Sequence, residues 1–221
     1  MALQSTPPAP ALELNDVSRR YGRHWAVVRL TFSLARGSSL LLTGHNGSGK
    51  TTLLRLLATA FPPSSGKLRI LGHDAVEERD LARQKLALLS HQNFLYEDLS
   101  GAQNLTLLGR LLGLTDLPDL VAATLTRVGL NPRDPQPVRQ YSAGMRKRVA
   151  VGRLLMKTPE LALLDEPFGE LDPAGISAME GFIHELSQRG CTVVLATHLV
   201  EQGRSLCREH LHLSQGRSVA P

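Results

Sequence analysis

Gly44-His45-Asn46-Gly47-Ser48-Gly49-Lys50-Thr51 has the spacing G-x-x-x-x-G-K-[ST], the pattern with which a backbone wraps the phosphates of a nucleoside triphosphate. Closely spaced glycines let successive N–H groups turn inward and form a concave, positively polarised nest. Lys50 is then placed to reach the β- and γ-phosphates as a point charge, and the Thr51 hydroxyl to hold Mg²⁺. From Thr52 onward a helix would aim its positive dipole end at the anion. The flanks agree, because Ser39-Leu40-Leu41-Leu42-Thr43 predicts a buried strand entering the loop and Thr52–Ala58 a helix leaving it.

A second constellation lies far downstream, where Leu161-Ala162-Leu163-Leu164 delivers Asp165 and Glu166 to the end of an apolar strand. Ligands of open α/β sheets gather at such carboxyl ends. Taken alone, two adjacent carboxylates after a strand are as readily a helix-capping feature. With the phosphate loop in the same chain they divide into two tasks: Asp165 to bind Mg²⁺ through its water shell, and Glu166 to polarise a water attacking the γ-phosphorus.

The elements that must position these groups follow from the pattern of apolar residues. The stretches Leu12–Val17 and Trp25–Leu34 predict an early antiparallel β layer, with further strands at Leu68–Leu71 and Leu86–Leu89. From about Ser100 to Lys157 the leucines take helical spacing, broken by Pro118 and by the proline-dense turn Pro132–Pro137, which predicts an inserted helical subdomain. The remainder alternates strand Leu161–Leu164, helix Ala174–Gln188, strand Thr192–Ala196 and helix Val200–Cys207, as a doubly wound, mainly parallel sheet requires. A last strand is predicted near Glu209–Leu213. The 221 residues, 42% hydrophobic and 20% charged, suit one such domain over residues 11–221, and the prolines of Met1–Pro10 predict a mobile tail without a signal peptide. Two cysteines without metal-type spacing predict buried thiols, and no apolar run approaches a membrane span. The net charge of +5 is spread widely among only 4% aromatic residues, so no nucleic-acid partner is expected; the cluster Arg146-Lys147-Arg148 reads as a solvated helix face.

Between the two motifs lies Tyr141-Ser142-Ala143-Gly144-Met145, which resembles the signature segment of ATP-binding-cassette (ABC) transporter ATPases, usually Leu-Ser-Gly-Gly-Gln. The resemblance spans nearly the whole chain and implies the P-loop fold, ATP and Mg²⁺ as ligands, and ATP hydrolysis in a head-to-tail dimer. It implies that Ser142 and Gly144 reach the γ-phosphate held by the opposite subunit; Ala143 and Met145 depart from the family pattern, and Met145 removes a glutamine amide. Arg146-Lys147-Arg148 then matches the basic start of the signature helix. By the same resemblance Tyr21 stacks on adenine, Gln92 touches Mg²⁺ and the attacking water, Leu171 and Asp172 cross the dimer interface, and His198 donates to the γ-phosphate. Glu170 stands where small residues are common.

The resemblance further implies a membrane permease docking near Gln92–Asp98, where Phe94, Leu95 and Tyr96 are apolar for a loop, and a place on the cytoplasmic side of the membrane. Leu95–Leu105 and Tyr141–Arg148 look most like cytochrome c maturation ATPases of the CcmA type, which implies haem export. The alternative is a general drug, lipid or polysaccharide exporter. A soluble ABC-type ATPase acting on DNA or ribosomes is disfavoured, because the chain has neither a long coiled-coil insertion nor a second phosphate loop.

Overall fold

The computed structural model describes residues 9–90 and 93–219. Two sheets organise them. Strands β1 (Leu12–Tyr21) and β2 (His24–Leu34) form an antiparallel pair, and β4 (Ser65–Ile70) and the short β5 (His73–Asp74) extend it in the order β2-β1-β4-β5. Strand β3 (Ser39–Thr43) leaves this layer and enters the second sheet, ordered β10-β9-β3-β8-β7-β6, where β6 is Leu86–Leu89, β7 Leu161–Asp165, β8 Thr192–Ala196, β9 Glu209–Ser214 and β10 Arg217–Val219. All its pairings are parallel except the β9-β10 hairpin at the edge.

The central strands β3, β7 and β8 are buried along their length and apolar but for a polar residue at one or both ends, because both faces are covered. Side chains alternate between the two cores as strand geometry dictates. Leu40, Leu42, Leu161, Leu163, Val194 and Ala196 face the core beneath the antiparallel sheet and α1 (Lys50–Leu57), while Leu41, Ala162, Leu164, Val193 and Leu195 face the core shared with the later helices. Helix α1 buries Leu53, Leu54, Leu56 and Leu57 against the first core. Truncating such a leucine to alanine costs about 2–5 kcal/mol.

Helix α2 (Arg79–Lys85) runs directly into β6. The predicted helical insertion resolves into α3 (Gly101–Leu111), α4 (Leu117–Arg127), a 3₁₀ turn at Val138–Gln140, and α5 (Ala143–Lys157). Ser100 starts α3 with a capping box, its hydroxyl accepting from the Gln103 amide while the Gln103 side chain accepts from the Ser100 amide. Helices α6 (Pro173–Gln188) and α7 (Val200–Leu206) complete the alternation. The sequence reading missed α2, β5 and β10, each short. It also ended the fourth strand at Leu71, which instead takes a left-handed φ of 52° outside the strand. Most of the Met1–Pro10 tail, residues 1–8, lies outside the described residues. Cys191 is buried and Cys207 half-buried, and burial pushes their thiols up to about 11 and about 12. No helix among the described residues is long and apolar enough to cross a membrane.

Candidate nucleotide site

Parallel register brings the chemistry together. Leu42 pairs with Ala196 and Ala196 with Asp165, so the ends of β3, β8 and β7 lie level and side by side. The phosphate loop follows the first, Thr197 and His198 the second, and Glu166 the third.

The loop is built where only glycine fits. Gly49, at φ 107°, opens α1, and a Cβ there would stand 2.3 Å from the Ala26 carbonyl of β2; one on Gly44, at φ 143°, would stand 2.3 Å from the Leu213 carbonyl of β9. The loop is thus wedged between the antiparallel sheet and the last parallel strand. Gly216, in the β9-β10 turn, buttresses it by donating its amide to the Ser48 carbonyl at 2.9 Å and accepting from the Val28 amide at 2.8 Å. That support was missed, because Gln215-Gly216 is not one of the strong hairpin dipeptides such as Asn-Gly or Asp-Gly. Lys50 folds over the loop, its Nζ donating to the carbonyls of Gly44 (2.6 Å) and His45 (3.1 Å). His45, Asn46 and Gly47 are exposed at the tip, Thr51 is exposed and Thr52 half-buried at the start of α1. The buried Ser48 hydroxyl has no hydrogen-bond partner among the described residues. A loop with glycine-enforced backbone, an ammonium inside it and an orphaned buried hydroxyl fits a phosphate chain.

Asp165 is 5% exposed at the end of β7. Burial raises its pKa above the ordinary carboxylate range, opposed by a hydrogen bond with Thr51 and the charges of Lys50 and Arg55, and reinforced by Glu166. The Thr51 hydroxyl and Asp165 carboxylate are therefore adjacent hard oxygen donors, and an ionised carboxylate here is under-compensated by the protein. That donor set fits Mg²⁺, which is held by one or two side chains together with substrate phosphates. When bound, the ion supplies charge neutralisation at the β- and γ-phosphates. Gln92, the third residue expected to touch it, lies outside the described residues.

Glu166 and His198, expected to act separately, are in contact. The Glu166 Oε2 accepts from His198 Nδ1 at 2.8 Å and from the His198 backbone amide at 3.2 Å. An ionised carboxylate requires the proton on Nδ1, which leaves Nε2 of a neutral ring as an acceptor. Donation from His198 to a phosphate therefore needs either the imidazolium or release of this contact. Tyr21 ends β1, held edge-on against Phe61 (centroids 5.8 Å apart) with the Arg19 guanidinium 5.0 Å from its ring centre.

Ser142 caps α5, its hydroxyl accepting from the Met145 amide at 3.2 Å. Ser142 is exposed, Ala143 and Gly144 half-buried, and Met145 packs its side chain against the second core, which accounts physically for an apolar residue in place of a glutamine. Asp172 caps α6 through the Gly175 amide (2.9 Å) and lies 3.6 Å from Arg148, while Leu171 packs on the second core. The solvated reading of Arg146-Lys147-Arg148 is corrected at its centre. Lys147 is 2% exposed, with its Nζ donating to the Glu166 carbonyl at 3.0 Å.

A cavity of about 520 Å³ opens beside the C-terminal half of α5, lined by Ala58, Arg83, Leu88, Asn93, Phe94 and Arg153 among others. Phe94, which lines it, is 62% exposed, and Tyr96 two residues on is 58% exposed. Asn104, buried in α3, braces this loop by exchanging hydrogen bonds with the Tyr96 backbone and donating to the carbonyls of Leu99 and Ser100. Arg153 donates to the carbonyls of Asn93 and Phe94.

A phosphate loop, a Thr–Asp pair for a hard cation and a carboxylate–histidine pair at the ends of adjacent parallel strands define a nucleoside triphosphatase. The ABC transporter family model matches residues 27–169, and the chain belongs to that family. It carries the family's ATPase, whose ATP hydrolysis is coupled to transport. Among curated relatives it is 36% identical over 212 residues to the daunorubicin resistance ATP-binding protein DrrA3 of Streptomyces coeruleorubidus, covering 95% of this chain and 67% of that protein. It is 31% identical to the linearmycin resistance ATP-binding protein LnrL of Bacillus subtilis (95% and 68%) and 32% to the Nod factor export ATP-binding protein I of Ralstonia nicotianae (96% and 66%). The chain thus spans about two thirds of the length of these relatives. Among solved structures, the ATP-binding subunit of an ABC transporter superposes with a TM-score of 0.87 at 27% identity, covering 95% of this chain and 88% of that one. A dimeric cassette in a post-hydrolysis state bound to ADP and Pi has the same fold (TM-score 0.85, 22% identity, 94% and 97% covered).

Proposed function

We propose that this chain is the ATP-hydrolysing subunit of an ABC exporter, closing head to tail with a second cassette around two ATP molecules. The observation carrying the proposal is the division of the site. Lys50, Thr51, Asp165, Glu166 and His198 converge at the ends of three adjacent strands, whereas Ser142 and Gly144 sit on the rim of the helical subdomain at the start of α5. In this reading the loop amides and Lys50 bind and orient the phosphates, and Thr51 and Asp165 hold Mg²⁺. Glu166 orients and deprotonates the attacking water, His198 senses the γ-phosphate, and Tyr21 supports the adenine. Ser142 and Gly144 complete the partner's site, so ATP favours closure by its differential affinity for that state. Phe94, Tyr96 and the cavity behind them receive a permease segment at the cytoplasmic face of the membrane.

For the cargo, the drug-resistance and Nod-factor-export names of the relatives favour a general exporter. Haem export rests on the resemblance of Leu95–Leu105 and Tyr141–Arg148 to cytochrome c maturation ATPases, and is the second reading. The test is to purify the chain with its permease from gently solubilised membranes, reconstitute the pair, and measure ATPase stimulation by daunorubicin and by haem. Stimulation by daunorubicin alone supports the general exporter, and stimulation by haem alone overturns it. An assembly without ATPase activity that Glu166→Gln abolishes would sink the ATPase reading itself.

A further inference from the structure

The backbone at Glu166 is held in a conformation it would not choose. Its φ is 48°, in the left-handed region that disfavours residues bearing a Cβ. The next residue is Pro167, whose ring pushes the preceding residue toward extended backbone. Relaxation of Glu166 to the extended region would rotate its peptide plane and swing its carboxylate away from the strand ends. Strain of this kind persists only when the surroundings over-determine it.

The restraints on Glu166 are few and specific. Its amide donates to the Ala196 carbonyl of β8 at 2.8 Å, and its carboxylate accepts from His198. Its carbonyl accepts a long bond from the Gly169 amide at 3.3 Å and a shorter one from Lys147 Nζ at 3.0 Å. Lys147 is among the largest fully buried side chains of the protein. Burial lowers its pKa, and the charges of Glu170, Asp165 and Glu166 oppose that effect. The same face of α5 touches the loop twice more. The Glu170 carbonyl lies 3.1 Å from where a Cβ on Gly144 would stand, and Arg148 lies 3.6 Å from Asp172.

We propose that Lys147 is a positioning residue for the catalytic carboxylate: its buried ammonium pins the Glu166 carbonyl, fixing the strained backbone that aims Glu166, and ties that backbone to the helix that begins with Ser142. The inference rests on the reading of Glu166 as the group that activates water. Its consequence is mechanical. The helix start that engages the partner's nucleotide also sets the carboxylate serving the chain's own, so seating one site aligns the other.

The test compares Lys147→Met, Lys147→Gln and Lys147→Arg in the full chain, by phosphate release and by equilibrium binding of a fluorescent ATP analogue. Misplacement of a reacting group by about 1 Å costs on the order of 10²-fold in rate. Lys147→Met is therefore expected to lower kcat by roughly ten- to a hundredfold, with KM and analogue affinity changed less than about twofold. Lys147→Arg, which keeps a charged donor, is expected to recover most of the loss, and Lys147→Gln to fall between. Thermal unfolding identifies which variants fold, and if Lys147→Met does not, the Gln and Arg pair decides. Equal kcat in the folded variants and the wild type overturns the proposal, as does a fall in kcat matched by an equal loss of nucleotide affinity. Glu166→Gln run in parallel separates the two failures: if it hydrolyses ATP at the wild-type rate, the reading of Glu166 has failed and not merely that of Lys147.

Discussion

Asp165 and Glu166 are neighbours in the chain and opposites in circumstance. Asp165 is buried with its pKa raised, so the folded chain takes up a proton at higher pH than the unfolded chain does. Its stabilising, neutral form is present at low pH and is lost as pH rises from the ordinary carboxylate range through the raised folded value. At neutral pH the ionised group is a liability of the nucleotide-free protein. Asp165→Asn is therefore expected to raise the melting temperature of the free chain at pH 7, by about 2–4 °C for each kcal/mol of relieved desolvation, with the difference shrinking in acid. The same change should remove the extra thermal stabilisation that Mg²⁺ adds to ATP, measured by differential scanning fluorimetry with and without the ion. In the proposed reading Glu166 works through aim. Glu166→Gln keeps the shape and removes the base, so phosphate release is expected to fall by roughly 10²–10⁴-fold, while ATP accumulates a dimer detectable by light scattering. Gly44 to Thr51 and the carboxylate pair were legible because their meaning is local. Lys147 was not, since three consecutive cations read as solvent-exposed until the fold lays the 165–170 loop across the middle one.

Helix α5 is the element on which the site turns. Its cap Ser142, its second-turn Lys147 and its Arg153 reach, in order, the rim, the Glu166 carbonyl and the carbonyls of Asn93 and Phe94. One helix therefore touches the rim proposed to meet the partner's nucleotide, the loop that carries Glu166 and the loop proposed to meet the permease. Arg153→Met is expected to leave ATP binding within about twofold but to reduce stimulation of hydrolysis by the reconstituted permease several-fold, because hydrogen bonds from a charged donor hold a loop more firmly than neutral ones. Unchanged stimulation would refute the role given to that contact. Asn104→Ala removes the brace on the same loop from α3, and should lower the melting temperature and weaken permease association together. The helical subdomain was legible in its leucine spacing and proline breaks. Its attachments were not, because long polar side chains that bond backbone carbonyls leave no periodic signature. Short elements such as α2 and β5 failed for a different reason, since so few residues show no period at all.

At the scale of the molecule, the parallel sheet separates two cores while its strand ends form one continuous site. The doubly wound order was readable from the alternation of strands and helices. That β8 lies between β3 and β7, which sets Glu166 against His198, was not, because strand order is decided by packing between distant segments. If the site is composite, phosphate release per chain should rise with protein concentration and saturate as dimers form; a rate per chain independent of concentration across the dimerisation range would argue for a self-sufficient monomer. The two thiols make such movements observable. With Cys191 and Cys207 pushed to about 11 and about 12, almost no nucleophilic thiolate exists at neutral pH. The native sequence is therefore expected to be a quiet background for thiol chemistry, which thiol titration of the unmodified chain checks. A single cysteine introduced at exposed Trp25 or Tyr96 should accept a fluorophore selectively, turning cassette closure and permease docking into distances that can be followed in real time.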